Sequence, residues 1–460
     1  MSLNRKDSRI VELLKPQKVL RDPVHGNVFL TSLETEIIDT HAFQRLHQLK
    51  QLGLAYLVYP GATHTRFSHS IGTLQASQKL IDVINRSLLN ETRLGPYPIL
   101  LARLCALLHD LSHIPFGHTL EDEGSLFPSQ WEDSPRVEYF LGEESEVGAA
   151  IRRNLDLRCL SDVVHILTAK SNSDIEGLQH PFIADIIGDT FCADLLDYTS
   201  RDSLHVGFQR FPDLRLINYV CVSPYGVHKK KRVVLRIGEK HALISDILNL
   251  LRTRLDLMER VIYHHTKLRA SAMVIAAVYD SLREGNITRE ELWQIGDEAL
   301  LDRLETDGTN VSRNLVGKLR KRKLHKPVLS LPYPFFVSEV DSKARKMKEV
   351  FALYSDPHNR WLLERRLEEK YGLPEGDVIV YCPRVKRSRK SSTLLISLSE
   401  GTFPFSEIPD VATREELQLI EDHYARLWKM VVLIDNEVDS AKMKEEIVKD
   451  WEEELVPNSS

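Results

Sequence analysis

The segment PILLARLCALLHDLSHIPFGH, residues 98–118, determines the fold that we predict for this chain. Residues 99–111 are apolar in nearly every direction around a helix, which predicts a central helix buried on all sides. Pro115 cannot continue a helix, so we expect the helix to end there. His109 and Asp110 stand near its end. Because a buried carboxylate is costly unless it is paired with a charge or bound to a metal, Asp110 requires a partner from elsewhere in the chain.

His109 and Asp110 offer an imidazole nitrogen and a carboxylate oxygen, which together suit a first-row divalent ion. In helical metal sites the remaining ligands come from other helices. The candidates are His69, in HTRFSHS (64–70), and Asp194, in DTFCADLLDYTSRD (189–202). An apolar stripe along the second segment allows Asp194 to face inward. A His-Asp dipeptide occurs by chance in most long chains, so the prediction of a metal site rests on the four residues together.

The composition is that of a globular protein with a sizeable core. The chain has 460 residues, of which 42% are hydrophobic. Its 61 basic and 66 acidic residues give a formal charge of -5, which excludes a global basic field for nonspecific nucleic-acid binding. The five cysteines form no CxxC pair, which favours reduced thiols over a disulfide framework or a zinc ribbon. We find no signal peptide or membrane span, and we therefore expect a cytoplasmic protein with no membrane partner.

Hydrophobic spacing predicts a mostly α protein. Residues 36–53, 69–89 and 239–282 carry apolar side chains at helical intervals, and Gly53 ends the first of these segments. Alternating residues around Pro224 and Gly226 predict a small β-hairpin. After residues 329–336 the pattern changes to short helices and strands, which predicts a mixed α+β C-terminal region.

Five motifs resemble, in order and spacing, the HD superfamily of metal-dependent phosphohydrolases, and more specifically its deoxynucleoside triphosphate triphosphohydrolases. They are DPVHGNVFL (22–30), IIDTHAFQRLHQLKQLG (37–53), VYPGATHTRFSHSIG (58–72), LLHDLSHIPFGH (107–118) and DLLDYTSRD (194–202). The similarity is specific over residues 18–210. It continues more loosely through RVIYHHTK (260–267) and LRKRKLHKPV (319–328), and it fades after residue 335.

This resemblance implies an HD-domain helical core at residues 17–330, with the hairpin inserted into it, and a mixed α+β region at residues 331–460. It also implies that His69, His109, Asp110 and Asp194 bind one divalent ion. Manganese, iron, magnesium and zinc all remain open, because mixed nitrogen and oxygen ligands select weakly among them.

The resemblance further implies that His113 and His118 are the catalytic histidines and that Glu121 orients His118. One of the histidines would protonate the leaving 5′ oxygen. From the residues alone, His113 shares a helix face with His109 if the helix persists. Pro115 and Gly117 would then turn the chain and return His118 to the same pocket.

Substrate contacts are also carried over from the family. The resemblance places Gln51 and Asp202 near the sugar, Tyr198 and Tyr263 in the nucleoside pocket, and Arg66 and Lys267 on the phosphates. Because YHHTK (263–267) is one residue longer than the family pattern, His264 and His265 stay alternatives to Lys267 as the side chain that points inward. A carboxylate and an amide can hydrogen-bond a 3′ hydroxyl, and a tyrosine ring close to C2′ can exclude a ribose hydroxyl.

Two departures from the family pattern bear on the activity. Asp133 stands nearest the place where relatives often have another histidine. Leu195 replaces the lysine that many relatives have directly after the last metal ligand. A cation for the triphosphate is then missing, unless Arg66, Arg260 or Lys267 supplies it.

The resemblance also implies partners. We expect a homo-oligomer, either a dimer or a tetramer, and a regulatory nucleotide. Asp39 and Gln44 match the regulatory site of the animal enzymes, whereas Arg21 and His47 differ from it, so the same activator is not assumed.

Three basic segments are also present. They are HKKKR (228–232), KLRKRK (318–323) and RVKRSRK (384–390). Such segments are usually solvated, and no aromatic residues are interleaved to stack bases, but single-stranded nucleic acid is retained as a second candidate ligand.

Three functions remain open at this level. The first is metal-dependent hydrolysis of deoxynucleoside triphosphates to deoxynucleoside and inorganic triphosphate. The second is an HD phosphohydrolase with another cleavage position or substrate, motivated by Leu195 and Asp133. The third is a nucleotide-sensing or nucleic-acid-binding protein with little turnover.

Overall fold

The computed structural model describes residues 5–86, 93–209, 214–225, 229–238, 242–335, 341–385 and 394–435, with two short pieces at 445–446 and 448–449. Within these residues the chain forms eighteen α-helices and nine β-strands. The prediction of a mostly α fold with small sheets is confirmed. Among the helices of these ranges, none combines the length and the apolar character needed to cross a bilayer.

The N-terminal part is helical apart from one hairpin. Its strands are β1 (Lys18–Asp22) and β2 (Gly26–Leu30). Its helices are α1 (Arg5–Leu13), α2 (Ser32–Ile38), α3 (His41–Gln44), α4 (Arg66–Arg86), α5 (Pro96–Leu108), α6 (Ser134–Leu141), α7 (Glu146–Asn154), α8 (Leu157–Thr168), α9 (Asn172–Gly177), α10 (Pro181–Gly188) and α11 (Ala193–Val206).

The C-terminal part mixes helices with strands. Its strands are β3 (Val220–Tyr225), β4 (Lys230–Arg236), β5 (Lys326–Pro332), β6 (Val378–Tyr381), β7 (Leu395–Leu398), β8 (Gly401–Pro404) and β9 (Lys429–Ile434). Its helices are α12 (Ala242–Leu257), α13 (His265–Arg283), α14 (Asp297–Thr306), α15 (Asn310–Arg320), α16 (Ser342–Tyr354), α17 (Pro357–Tyr371) and α18 (Val411–Ala425).

Helix α5 is the buried centre of the N-terminal part. Pro96 begins the helix, as proline does readily in a first turn, and all residues at 100–108 are buried. The helix ends at Leu108, before the predicted end at Pro115, and residues 109–117 form turns and irregular backbone. The expectation that His113 continues the same helix is therefore wrong. Pro115 cannot donate a backbone hydrogen bond, and Phe116 and Gly117 have φ values of 55° and 27°, which no α-helix accommodates.

The predicted helix at 36–53 is divided into short pieces. Thr40 caps α3, its hydroxyl accepting a hydrogen bond from the Phe43 amide. Residues 45–48 and 53–57 then continue as single 3₁₀ turns. Apolar spacing still places Phe43 and Leu46 in the core, because the pieces bury the same side chains as a continuous helix would.

Two sheets cross the predicted domain boundary at residues 330/331. The predicted hairpin is present as β3 and β4, but β4 also pairs in parallel with β7, which pairs with β8. Strand β5 begins before the boundary and pairs with β9, which pairs with β6. The division into 17–330 and 331–460 stays a prediction, and these sheets join the two parts through backbone hydrogen bonds.

Helix α4 packs against both α5 and α11. Gly72 of α4 lies where α11 approaches most closely. A Cβ atom at residue 72 would lie 1.9 Å from Asp197 Oδ1 and 2.2 Å from Arg201 Nη2, so this position requires glycine. The three helices can therefore bring His69, the turn after Leu108 and Asp194 together.

We predict that Gly72→Ala lowers the free energy of unfolding by about 1–3 kcal/mol, the usual cost of overpacking a buried contact. Gly317→Ala is the matched control, because Gly317 is also helical and a Cβ there meets no atom within 4 Å. The control should raise the free energy of unfolding by about 0.5–1 kcal/mol, because alanine favours helix. Chemical denaturation of both variants measures the difference, and equal effects would contradict the close approach of α4 and α11.

Candidate metal centre and active site

The four predicted metal ligands lie together where α4, α5 and α11 meet. His69 Nε2 lies 3.1 Å from His109 Nε2 and 3.1 Å from Asp194 Oδ1. Asp110 Oδ1 lies 3.6 Å from His109 Nε2, and Asp110 Oδ2 lies 3.8 Å from His69 Nε2. His69, His109 and Asp194 each offer one donor atom, all within 4.8 Å of one another, so they can hold a metal ion.

The second nitrogen of each imidazole is already committed. His69 Nδ1 donates to Asp197 Oδ2 over 2.7 Å, and His109 Nδ1 donates to the Ala106 carbonyl over 2.9 Å. These bonds select the tautomer whose Nε2 lone pair faces the cluster. Metal-binding histidines usually have such outer partners, so the donor set fits a divalent cation.

The charges of the cluster favour a cation in the same way. Burial alone would lower the pKa of His69, but the Asp194 and Asp197 carboxylates raise it to about 10. For Asp194, burial opposes ionisation, while His109 and His69 hold the pKa of the carboxyl well below its usual range. The site therefore binds positive charge, which a proton or a metal ion can supply.

Asp197 is an outer partner that sequence reasoning did not assign. It is fully buried and accepts hydrogen bonds from His25 Nε2 at 2.7 Å and from Arg201 at 2.8 and 2.9 Å. Arg201 also pairs with Asp22 at 2.9 Å. The DPVHG motif, which contains Asp22 and His25, was a signal that could have predicted this network.

Arg66, expected to contact phosphate, is bonded to a predicted metal ligand. Its Nη1 donates to Asp110 Oδ2 over 2.6 Å, and the residue is 3% exposed. Burial would raise the pKa of Asp110, but Arg66 and the neighbouring histidines hold it well below its usual range. Gly117 makes room for Arg66, because a Cβ at residue 117 would lie 2.9 Å from Arg66 Nη2. Arg66 therefore positions Asp110.

His113 is buried between two carboxylates despite the early end of α5. Its Nε2 lies 3.2 Å from Asp110 Oδ1, and its Nδ1 lies 3.4 Å from Glu121 Oε2. Glu121 also accepts a hydrogen bond of 2.7 Å from Arg136, which is fully buried. A chain of polar side chains thus runs from Asp110 through His113 and Glu121 to Arg136.

His118 has a different partner from the one predicted. Its Nδ1 contacts Asp122 Oδ2 at 2.8 Å, and 62% of its side chain is exposed. The prediction that Glu121 orients His118 is wrong in this structure. Residues 119–123 form a π-helical turn, in which position 122 faces His118, while Glu121 points inward to His113 and Arg136. The imidazole rings of His113 and His118 nevertheless lie near each other, with centroids 5.0 Å apart.

Lys267, expected to bind the phosphate tail, is 3% exposed and forms an ion pair with Glu123. The Tyr381 hydroxyl donates to the other oxygen of Glu123 over 3.1 Å. In this structure the ammonium is paired inside the protein, and its contact with phosphate stays a prediction.

The predicted sugar-binding residues lie near a histidine that had no assigned role. His64 Nε2 contacts Asp202 Oδ1 at 2.7 Å, and the backbone N–H of Gln51 donates to the backbone carbonyl of His64 over 3.0 Å. Gln51 Oε1 and His64 Nδ1 are buried and have no hydrogen-bond partner among the described residues. Such unsatisfied polar atoms require an explanation, and a bound ligand or an ordered water supplies one.

The two predicted pocket tyrosines lie near Arg254, another residue that sequence reasoning missed. The Arg254 guanidinium lies 5.4 Å from the centre of the Tyr424 ring and interacts electrostatically with Tyr198, and Tyr263 interacts with Tyr424 in the same way. Burial would lower the pKa of Arg254, but Tyr198, Tyr424 and Asp194 raise it. The buried Arg254 Nε has no partner in the described part of the chain. Its sequence context, LLRTRLDL (250–257), contained no motif that distinguished it from Arg252.

The two departures from the family pattern have structural places. Asp133 caps α6, its side chain accepting from the Arg136 amide. Leu195 is 2% exposed and packs in the core. Neither side chain contributes a proton or a positive charge to the cluster.

The predicted basic segments are partly neutralised. Lys318 pairs with Asp435, and Arg320 pairs with Asp302 and Glu305. In the first segment, Arg232 binds Asp185. Residues 386–390 of the third segment, and His228 of the first, lie outside the described residues.

A second group of possible metal donors, His325, Asp377 and Asp435, lies between α15 and the three-stranded sheet. Lys318 contacts both carboxylates, at 3.5 Å for Asp377 and more closely for Asp435. An ammonium already balances part of this charge, so we do not assign a metal there.

Comparison with known proteins agrees with this geometry. Residues 66–202 match the model of the HD domain, and residues 231–448 match that of the HD-associated region. The chain therefore contains an HD domain followed by an HD-associated region. The matched HD domain begins at Arg66 and ends at Asp202, and it includes all four predicted metal ligands.

Relatives of this HD-domain protein include an uncharacterized protein of Methanocaldococcus jannaschii, 29% identical over 94% of this chain and 82% of the relative. The deoxynucleoside triphosphate triphosphohydrolase SAMHD1 of Danio rerio is 28% identical over 55% of this chain and 43% of that enzyme. The SAMHD1 homolog of Dictyostelium discoideum is 27% identical over 80% of this chain and 67% of the homolog. This chain therefore spans less than half of the zebrafish enzyme.

The crystal structure of a hypothetical protein from Aquifex aeolicus shares the fold of this HD-domain protein. It superposes with a TM-score of 0.64 over 94% of this chain and 99% of that chain, at 23% sequence identity. The likeness extends over both the helical core and the C-terminal region.

We predict that Asp194→Ala abolishes metal binding while the fold persists, because its loss removes one donor and its direct ion pairs are with His69 and His109, which can become neutral. Asp110→Ala should remove the metal and also destabilise the protein by about 3–5 kcal/mol, since Arg66 then becomes a buried unpaired charge. Elemental analysis and thermal unfolding measure the two effects separately. His118→Gln, outside the cluster, is the control that should retain its metal. Full metal occupancy in Asp194→Ala would contradict the site.

Proposed function

We propose that this HD-domain phosphohydrolase hydrolyses deoxynucleoside triphosphates to the deoxynucleoside and inorganic triphosphate. The observation that carries the proposal is the cluster of His69, His109 and Asp194, which lies beside a buried histidine and is accompanied by an exposed one. The similarity to proteins named as deoxynucleoside triphosphate triphosphohydrolases supports this substrate class.

In the proposed reaction, water adds to the α-phosphorus, the bond to the 5′ oxygen breaks, and the 5′ oxygen takes up a proton. His69, His109 and Asp194 would hold a divalent ion, which would polarise the phosphoryl group as a Lewis acid. His118 is suited to deliver the proton, because it is solvent-exposed and Asp122 holds its Nδ1. His113, between Asp110 and Glu121, is suited to maintain the charge and orientation of Asp110.

The phosphate groups need positive charge, and the predicted residues Arg66 and Lys267 are both bonded to carboxylates. Arg254 is the better candidate for a phosphate contact. Its guanidinium faces Tyr198 and is close enough to Asp194 for their charges to interact. Its Nε, buried and without a partner among the described residues, can donate to a phosphate oxygen.

The nucleoside would lie beside Gln51, Tyr198 and Asp202. The unsatisfied Gln51 Oε1 can accept a hydrogen bond from a sugar hydroxyl. Asp202, held by His64, keeps a second carboxylate oxygen that can accept another. The Tyr198 ring, half-buried on α11, offers an apolar surface against the sugar.

Product analysis tests this function. The protein is incubated with each deoxynucleoside triphosphate and with manganese, iron, magnesium or zinc, and the products are separated by ion-exchange chromatography. We expect equal amounts of deoxynucleoside and inorganic triphosphate. Release of orthophosphate or pyrophosphate would instead support cleavage at another bond, and Asp194→Ala controls for contaminating phosphatases.

We predict that Arg254→Met lowers kcat/KM for triphosphates by about 100-fold, the scale of losing one charge contact in the transition state. Arg252→Met is the matched control, because it lies on the same helix and points to Glu416 at the surface. The control should keep its kcat/KM within about twofold of the natural protein. Equal losses in the two variants would exclude Arg254 as a specific phosphate contact.

One observation favours a second candidate, a phosphohydrolase for shorter nucleotides. Lys267 is neutralised by Glu123, and Leu195 replaces a cation, so fewer positive charges face a triphosphate tail than the resemblance implies. A kcat/KM higher for deoxynucleoside monophosphates than for triphosphates would establish this alternative.

The other expected partners stay predictions, namely a second copy of the chain in a homo-oligomer, a regulatory nucleotide and single-stranded nucleic acid. The cytoplasmic location also stays a prediction. The exposed cross-strand pair Val19 and Phe29 on the β1–β2 hairpin is consistent with an interface between copies of the chain.

A further inference from the structure

We infer that Tyr381 and Arg360, both from the C-terminal region, are positioning residues for His118. They act through residues 118–124, which we call the 118–124 segment. The inference rests on the proposed function, because it takes His118 as the proton donor. It assigns to the C-terminal region a part in building the active site.

His118 lies at the exposed end of the 118–124 segment, where the His113 ring, 5.0 Å away, is its only aromatic neighbour among the described residues. The side chain of His118 is 62% exposed, and its hydrogen-bond partner Asp122 belongs to the same segment. The position of the imidazole therefore depends on the backbone of the segment. That backbone is a single π-helical turn, closed by a hydrogen bond from the Gly124 amide to the Thr119 carbonyl.

Glu123 anchors the buried side of the segment. One of its oxygens binds Lys267 of α13 and accepts from the Thr119 hydroxyl at 3.3 Å. The other accepts from the Tyr381 hydroxyl, at the end of β6, over 3.1 Å. Glu123 is 7% exposed and Tyr381 is 2% exposed, so water does not easily replace the lost bond if the hydroxyl is removed.

Arg360 of α17 makes the second connection. Its Nη2 donates to the Gly124 carbonyl, and its Nη1 donates to the carbonyls of Ser355 and Cys382, each at 3.0 Å. One buried guanidinium thus joins the segment to two parts of the C-terminal region. Ile275 also packs against Gly124, where an added Cβ would lie 3.0 Å from its side chain.

These contacts surround the segment on its buried side and leave His118 at its exposed end. A small displacement of a proton donor is costly, because a shift of about 1 Å can reduce turnover by about 100-fold. Removing the Tyr381 hydroxyl should therefore lower kcat without changing the groups that bind substrate or metal.

The test compares Tyr381→Phe with Tyr333→Phe in the full chain. Tyr333 is the matched control, because it lies in the same region and packs its ring against Phe351, 5.0 Å between centroids. We expect Tyr381→Phe to lower kcat about fivefold, the scale of one lost hydrogen bond, with KM and metal content unchanged. Tyr333→Phe should match the natural protein. An equal loss in both variants, or a loss confined to KM, would overturn the inference.

A double-mutant cycle separates positioning from a general loss of stability. If Tyr381 acts through His118, Tyr381→Phe should cost nothing further in a His118→Gln background. A full fivefold loss in that background would overturn the inference.

Hydrogen–deuterium exchange provides a readout that does not depend on the substrate. Tyr381→Phe should increase exchange in peptides covering residues 118–124, whereas Tyr333→Phe should not. Unchanged exchange in that segment would overturn the inference even in an active enzyme. Failure of the proposed function would appear separately, as products other than deoxynucleoside and triphosphate, with the exchange result unaffected.

Discussion

The buried carboxylate of Asp197 is the interaction on which the rest of the site depends. It accepts hydrogen bonds from His69 of α4, from Arg201 of its own helix and from His25 of the N-terminal hairpin. Burial opposes ionisation of this group, and Arg201 and the two histidines hold its pKa well below the usual range. This charge can approach α4 closely because Gly72 has no side chain. The hydrogen bond from His69 Nδ1 to Asp197 thus orients the imidazole so that its Nε2 faces the metal cluster.

Buried ion pairs recur around this cluster, and each uses a cation that resemblance alone assigns to substrate or leaves unassigned. Arg66 binds Asp110, Arg136 binds Glu121, and Lys267 binds Glu123. Breaking one such pair leaves a buried charge without compensation, which costs about 3–5 kcal/mol. A cationic side chain near the metal cluster can therefore either stabilise a buried carboxylate of the site or bind the substrate. The residue with which each cation pairs in the structure indicates which of these two roles it has.

The C-terminal region contributes to the same architecture. Strand β7 extends the sheet of the β3–β4 hairpin, and Tyr381 and Arg360 reach the turn that carries His118. The match of residues 231–448 to the HD-associated region is consistent with one joined structure. The C-terminal region is therefore not an independent lobe appended to the helical core, because its side chains contact the exposed turn that carries His118.

The sequence by itself determined the helical class, the burial of α5 and the identity of the residues that meet at the metal cluster, because apolar spacing and motif order are local properties of the chain. Tertiary structure alone decided which groups pair. His118 contacts Asp122 and not Glu121, since a π-helical turn changes the direction in which successive side chains point. Arg254 and Arg252 are alike in sequence, and only packing places the first beside Tyr198 and Tyr424 and the second against Glu416. Ion pairing depends on distances between residues far apart in the chain, such as Glu123 and Lys267, and spacing along the sequence does not encode those distances.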